Sequence, residues 1–167
     1  MRRYTLLALD DGTYTRGPCV SKLSEELSRI TGYDHAILFG SCTQAITVLA
    51  RWFWLRGYRK VRTPAFTWVS TYAPFQWFGY DVRFVDIHPL YWLAEFGDRV
   101  PDMDELVIPV DTFGSDYPFD EEMRGVKWID SAQSFGTVWR DRGVTRVISL
   151  SASKIVTAGE GGAILTN

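Results

Sequence analysis

Lys154 stands between an apolar run that ends in a hydroxyl, Arg146-Val-Ile-Ser149, and a glycine-rich stretch, Thr157-Ala-Gly-Glu-Gly-Gly162. Upstream, Trp128-Ile-Asp130-Ser-Ala-Gln133 closes a second apolar run on a carboxylate and an amide. A lysine amine can attack an aldehyde and form a Schiff base. A carboxylate at a strand end can hold a protonated ring nitrogen, and a helix start near Ser41-Cys-Thr43 can offer free N–H groups to a phosphate. A lysine, an aspartate, a glutamine and a helix start together suit one aromatic phosphate aldehyde, pyridoxal phosphate.

Each residue also has an ordinary job. Lysines are mostly exposed, but Lys154 has small or apolar neighbours in Ala152, Ile155 and Val156, where an amine can act as a nucleophile. Asp130 either caps the turn that follows it or faces a pyridine nitrogen and keeps the ring able to accept electrons. Gln133 is either a polar loop residue or a hydrogen-bond partner of the ring oxygen. Ser41-Cys-Thr-Gln44 fits a capping box, and the same helix start can bind phosphate through Cys42 and Thr43, with Ser149 adding a hydroxyl. Trp68, in Pro64-Ala-Phe-Thr-Trp-Val-Ser-Thr71, either packs in the core or stacks on a flat ring.

These residues must be carried by regular elements. Val20, Leu23, Leu27 and Ile30 recur at helical spacing over 17–31, with Gly32 as the stop. A short strand is predicted at 35–39, a turn at Gly40 and a helix from Ser41 to about Arg56, closed by Gly57. A strand at 61–63 and a helix over 67–78, which Pro74 should kink or shorten, come next. Further strands are predicted at 82–85, 106–109, 127–130, 146–149 and 163–166. Strands alternating with helices imply an α/β fold with a mainly parallel sheet and helices on both faces. Ligands bind beyond the carboxyl ends of such strands, which brings Gly40 to Thr43, Asp130 and Ser149 together.

Composition narrows the function classes. The 167 residues suit one domain, and 46% hydrophobic content suits a folded core. A net charge of −2 supplies no basic footprint, which argues against nucleic acid as a partner. No apolar run has membrane-spanning length. Met1-Arg-Arg-Tyr-Thr-Leu-Leu-Ala-Leu begins like a signal peptide, but Asp10-Asp11 interrupt it, so a cytoplasmic location is expected. Cys19 and Cys42 have no metal-ligand spacing, and only His35 and His88 are histidines, so no metal site is expected. Seven Trp in a chain that is 15% aromatic point to rings on a ligand or subunit surface as well as in the core.

In order along the chain, the motifs resemble those of one family, the DegT/DnrJ/EryC1/StrS sugar aminotransferases, which are pyridoxal-phosphate enzymes of fold type I. Gly40-Ser-Cys-Thr-Gln-Ala45 is similar to the family's Ser-Gly-Thr-Ala-Ala helix start, and Pro64 to Thr71 to its Pro-Ser-Phe-Thr-Phe-Val-Ala-Thr. Val85-Asp-Ile and Ile108-Pro-Val-Asp-Thr-Phe-Gly114 resemble its next two strands. Ile129 to Gly136 resembles its Glu-Asp-Ala-Ala-Gln segment, and Ser149 to Gly162 its lysine and Gly-Glu-Gly-Gly run.

The resemblance implies that residues 1–167 form a single pyridoxal-phosphate-binding large domain, with an N-terminal helical arm over about 1–33 and no small C-terminal domain. It implies that Lys154 carries the Schiff base and shuttles a proton, and that Asp130 holds the pyridine nitrogen. Gln133 would contact the ring hydroxyl, Trp68 would stack on the ring, and Cys42, Thr43 and Ser149 would hold the phosphate. The implied reaction moves an amino group from glutamate or glutamine to a keto-sugar nucleotide, in a homodimer. Relatives with His in place of the lysine are sugar dehydratases, so Lys154 favours the aminotransferase branch. Cys42 departs from the usual Gly, and Asp111 stands where many members have His. Members of the family are roughly twice as long. The alternatives are therefore a non-catalytic relic that binds cofactor or a partner, and a subunit completed by a separate small-domain chain.

Overall fold

The structure is a computed structural model that describes residues 17–118, 125–137, 139 and 143–167, with residues 5, 6, 9, 10, 12 and 15. Most of the expected arm ahead of residue 17, and most of the signal-like start, lies outside the described residues.

Helix α1 (Pro18–Thr31) begins with a proline in its first turn, where a missing N–H costs nothing. It ends at Gly32, whose φ of 77° lets its N–H reach back to Ser28 O. Leu27 is buried and Leu23 packs beside it, whereas Val20 and Ile30 are exposed, so half of the expected apolar stripe is used. Strand β1 (His35–Phe39) leads through Gly40 into α2 (Cys42–Leu55). Then come β2 (Lys60–Pro64), a 3-10 turn at Val69–Thr71, α3 (Ala73–Trp77) and β3 (Asp81–Val85). Strands β4 (Glu105–Val107), β5 (Trp128–Asp130), β6 (Thr145–Ser149) and β7 (Gly162–Thr166) complete the order.

The continuous helix expected over 67–78 is replaced by the 3-10 turn and the five-residue α3. Pro74 has no N–H to return to Ser70, and its ring disfavours helical backbone at Ala73, so the helix restarts there. Ser70 and Thr71 are thereby left in a tight turn at the sheet's edge rather than on a helix face.

One set of strands pairs in the order β1-β7-β6-β5 and another in the order β3-β2-β4. Parallel bridges Val107↔Val126 and Val110↔Asp130 lay the chain after β4 alongside β5. Strand β7 runs antiparallel to both β1 and β6, and the other paired strands run parallel. The reversal has a structural consequence. The first residue of β7, Gly162, pairs with Phe39 and Ser149, the last residues of β1 and β6.

Alternate residues divide the core into two faces. Val147, Ile164, Trp128, Leu106 and Ile108 pack with Ala45, Ile46, Ala50 and Phe53 of α2 and Phe75 of α3. On the opposite face Ile148, Ala163 and Leu165 pack with Leu27 of α1 and Trp139. Val107 and Ile129 are covered there by Ala94, Phe96 and Tyr117. Helices thus lie on both faces of the sheet. Trp128 and Trp139 fill core positions, while Trp52, Trp68, Trp77 and Trp92 are exposed. No described helix is long and apolar enough to cross a membrane.

Candidate cofactor-binding site

A cavity of about 330 Å³ opens at the carboxyl ends of the strands, and Cys42, Thr43, Trp68, Asp130, Gln133, Ser149 and Lys154 all line it. An adjoining cavity of about 230 Å³ shares Gln133, Ser149 and Lys154 and extends to Phe135 and Ile155. The seven residues singled out in the sequence therefore meet in one place, although the first and last are more than a hundred positions apart.

One end of the cavity is the start of α2. Ser41 Oγ accepts from Gln44 N–H at 3.2 Å, and Ala45 N–H makes the first backbone bond of the helix, to Ser41 O. The N–H groups of Cys42 and Thr43 come before both, at the positive end of the helix dipole. Thr43 Oγ1 donates to Ser70 Oγ at 2.9 Å, which ties the helix start to the 3-10 turn. Ser149 borders the same space, its hydroxyl receiving the Ser151 N–H at 3.4 Å. Burial pushes the Cys42 thiol far above its ordinary range, and the negative charge of Asp130 adds to this, so Cys42 offers a backbone N–H rather than a thiolate.

The glycine-rich run explains how the helix start comes so close. A Cβ on Gly162 would lie 2.4 Å from Cys42 N and 2.6 Å from Cys42 Cα. Only glycine at the start of β7 lets the backbone of α2 rest against it. In the sequence this stretch reads as part of a lysine motif. In the structure it also shapes the wall at the start of α2.

The other end is a buried carboxylate. Asp130 is 5% exposed. Its Oδ2 accepts from Thr71 Oγ1 at 2.7 Å and its Oδ1 from Ala132 N–H at 3.1 Å. Thr71 Oγ1 is itself paired with Thr67 Oγ1 at 2.8 Å. Burial pushes the Asp130 carboxyl above its ordinary value; Thr71 and Ala132 pull it down, Asp111 pushes it up and Lys154 pulls it down. Such a group gains strongly from an added cation, because the cation restores what burial removed.

Lys154, half-buried on the loop after β6, lines the same cavity, with its backbone N–H donating to Ser151 O at 3.0 Å. The loop is closed by Ala158 N–H and Thr157 Oγ1, both on Leu150 O, at 2.9 and 3.1 Å. Gln133 Oε1 accepts from Phe113 N–H at 2.9 Å, which turns the donor end of its amide to other partners. Trp68 is 74% exposed at the rim, so the core-packing reading of this residue does not hold.

Several lining residues escaped the sequence reading. Thr67, Ser70 and Thr71 lay inside a quoted motif of which only Trp68 was singled out. A run of hydroxyls directly after a strand was the available signal. Ser151, Ser153 and Glu160 also line the cavity beside the lysine. Behind the site, Asp111 receives the Tyr117 N–H, the Ser131 and Ser134 hydroxyls and Arg146 Nη1. Burial raises the Asp111 carboxyl, yet four donors converge on its two oxygens, so it is a carboxylate paired with Arg146.

The arrangement fits pyridoxal phosphate: N–H groups at a helix start and a close-approach glycine suit a phosphate, a dry carboxylate suits a ring cation, and an amine lines the same cavity. Comparison with known proteins agrees in fold. The E. coli GDP-4-keto-6-deoxy-D-mannose-3-dehydratase with bound hydrated PLP superposes with a TM-score of 0.86 at 23% identity, over 96% of this chain and 46% of that one. A DegT DnrJ EryC1 StrS aminotransferase from Brucella abortus gives 0.80 at 23% identity, over 96% and 49%. The enzyme DesI, solved in the presence of its TDP-sugar product, gives 0.80 at 24% identity, over 99% and 45%. The chain spans about half the length of these structures. Residues 2–167 match the DegT/DnrJ/EryC1/StrS aminotransferase family, and the chain belongs to it.

Proposed function

We propose that this chain binds pyridoxal phosphate at Lys154 and serves an aminotransferase that moves an amino group from glutamate or glutamine to a keto-sugar nucleotide. The observation that carries the reading is the cavity itself, where Lys154 shares one lining with the buried Asp130 carboxylate and the start of α2. When bound, the cofactor supplies an electrophilic carbon and a ring that draws off electron density.

The chain's own residues do the rest. Asp130, locked by Thr71 and Ala132, accepts a hydrogen bond from the protonated ring nitrogen and keeps the proton there. Cys42 and Thr43 N–H, with the Ser149 hydroxyl, hold the phosphate by neutral donors and the helix dipole. Gln133 is held by Phe113 N–H so that its amide nitrogen can donate to the ring oxygen. Trp68 covers one face of the ring and excludes water. Lys154 Nζ would hold the cofactor and can take and return a proton within the same cavity.

Sugar nucleotides are favoured as substrates by two of the similar structures, one named for a GDP-linked keto-sugar and one holding a TDP-sugar. Lysine at position 154 favours amino transfer over dehydration. The working form is read as a cytoplasmic homodimer. An exposed cluster of Phe66, Trp92 and Phe113, with ring centres 5.5 to 6.0 Å apart beside the cavity, supports that assembly.

A visible spectrum tests the reading. Protein mixed with pyridoxal phosphate should show a long-wavelength band, and glutamate or glutamine should convert it to that of the pyridoxamine form. A band that forms and ignores both donors reduces the function to cofactor binding. No band at all refutes the proposal.

A further inference from the structure

Arg146 occupies a strand position closed to solvent, behind the cavity wall. Its Nη1 donates to Asp111 Oδ2 at 2.7 Å and to Ser131 Oγ at 3.1 Å, and its Nη2 to Asp116 Oδ1 at 3.0 Å. The guanidinium carbon lies 4.9 Å from the centre of the Trp139 ring, whose Nε1–H donates to Ser134 Oγ at 3.1 Å. Asp111 Oδ2 also receives the Ser131 and Ser134 hydroxyls, each at 2.7 Å. Both ends of the turn that carries Ala132 and Gln133 are therefore fastened to one carboxylate, and that carboxylate to one arginine.

Asp111 is also next to Asp130 across the sheet. Val110 bridges to Asp130, and Asp111 N–H donates to Asp130 O at 2.9 Å. Two buried carboxylates thus sit on adjacent strand segments, and the arginine is on Asp111. An uncompensated charge in such a place acts strongly on its neighbour, because little water screens it.

We infer that Arg146 and Asp111 are a positioning pair for the cofactor site, fixing the 131–134 turn and setting the charge that Asp130 experiences. The consequence for binding rests on the cofactor reading above; the charge on Asp130 does not. The groups that face Asp130 are Lys154 from the loop after β6, the Cys42 thiol from α2 and Asp111 from the chain after β4, with the Thr71 hydroxyl and the Ala132 N–H. Asp111 is the one among them whose charge Arg146 offsets.

The test begins with the empty protein. Carbon-13 NMR of labelled aspartate carboxyls follows the Asp130 titration, identified as the signal lost in Asp130→Asn. In Asp111→Asn a negative charge disappears and Arg146 remains, so the Asp130 midpoint moves to lower pH. Asp116→Asn, at the edge of the network, keeps an oxygen for Arg146 and moves the midpoint the same way by less. Arg146→Lys keeps the charge but cannot reach Asp111, Ser131 and Asp116 together, so pyridoxal phosphate should bind roughly tenfold more weakly. If Arg146→Lys does not fold, the Asp116→Asn titration decides. An Asp130 midpoint unmoved in Asp111→Asn and Asp116→Asn overturns the inference and leaves the pair as scaffold alone. Wild-type protein that takes up no pyridoxal phosphate refutes the cofactor reading instead, whatever the titrations show.

Discussion

The two ends of the cavity are built by opposite means. The end proposed for the phosphate uses backbone N–H groups, hydroxyls and a glycine, all neutral, with the Glu160 carboxylate nearby on Ser151 Oγ. The end proposed for the ring uses the buried Asp130 carboxylate, with a second buried carboxylate, Asp111, and Arg146 behind it. A site made of neutral donors depends on shape, because its groups must be placed to a fraction of an ångström and respond little to pH. A site made of buried charge depends on compensation. It strains the empty protein and is relieved when a cation arrives.

Gly162→Ala should break the neutral end most severely. The new methyl meets backbone, not a movable side chain, at 2.4 Å. Stability should fall by about 1–3 kcal/mol or more in urea denaturation, with cofactor binding lost. Gly40→Ala sharpens the point: its methyl meets the flexible Gln44 amide at 2.8 Å, so the loss should be much smaller. Equal losses at the two positions would show that close approach at Gly162 does not shape the phosphate end.

At the charged end, Asp130→Asn should separate stability from binding. The folded protein holds the Asp130 proton more tightly than the unfolded chain does, because burial raises this carboxyl. Native stability relative to the variant is therefore unchanged below the unfolded value, falls as pH rises through the window up to the folded value, and stays lower above it. Asparagine carries no charge to bury. The empty variant should melt higher than the native protein at neutral pH and equally in acid, while cofactor titrations show weak binding. A variant less stable at neutral pH would mean that Asp130 is not strained.

Smaller effects follow. Ser41→Ala removes the side-chain cap on Gln44 N–H and should cost about 1 kcal/mol in chemical denaturation. Trp68→Ala removes an exposed ring, so stability should stay within about 0.5 kcal/mol. Cofactor affinity should drop by about 0.5–1.5 kcal/mol in a binding titration if the ring stacks there. An unchanged affinity would move Trp68 out of the site.

The neutral end was largely legible in the sequence. Gly40 followed by Ser41-Cys-Thr43 announces a helix start, and strand alternation places that start at the same edge as Asp130 and Ser149. The charged end was half legible. Asp130 closes an apolar run, but its partner Thr71 lies 59 positions away and the pattern does not show the pairing. Arg146 inside an apolar strand was a visible anomaly, yet only the fold brings it to Asp111. The reversal of β7 was hidden for a similar reason. A buried strand has an apolar pattern in either direction, so the contact of Gly162 with Cys42 appears only once pairing is known.

The central claim is that Lys154 carries the cofactor between these two ends. Borohydride reduction of protein saturated with pyridoxal phosphate, followed by peptide mapping, tests it directly. The pyridoxyl group should be found on Lys154. Lys60 is held by Asp102 and Asp104 at the opposite end of β2, and Lys22 lies on α1. A pyridoxyl group on Lys22, Lys60 or Lys127, with Lys154 unmodified, would contradict the account.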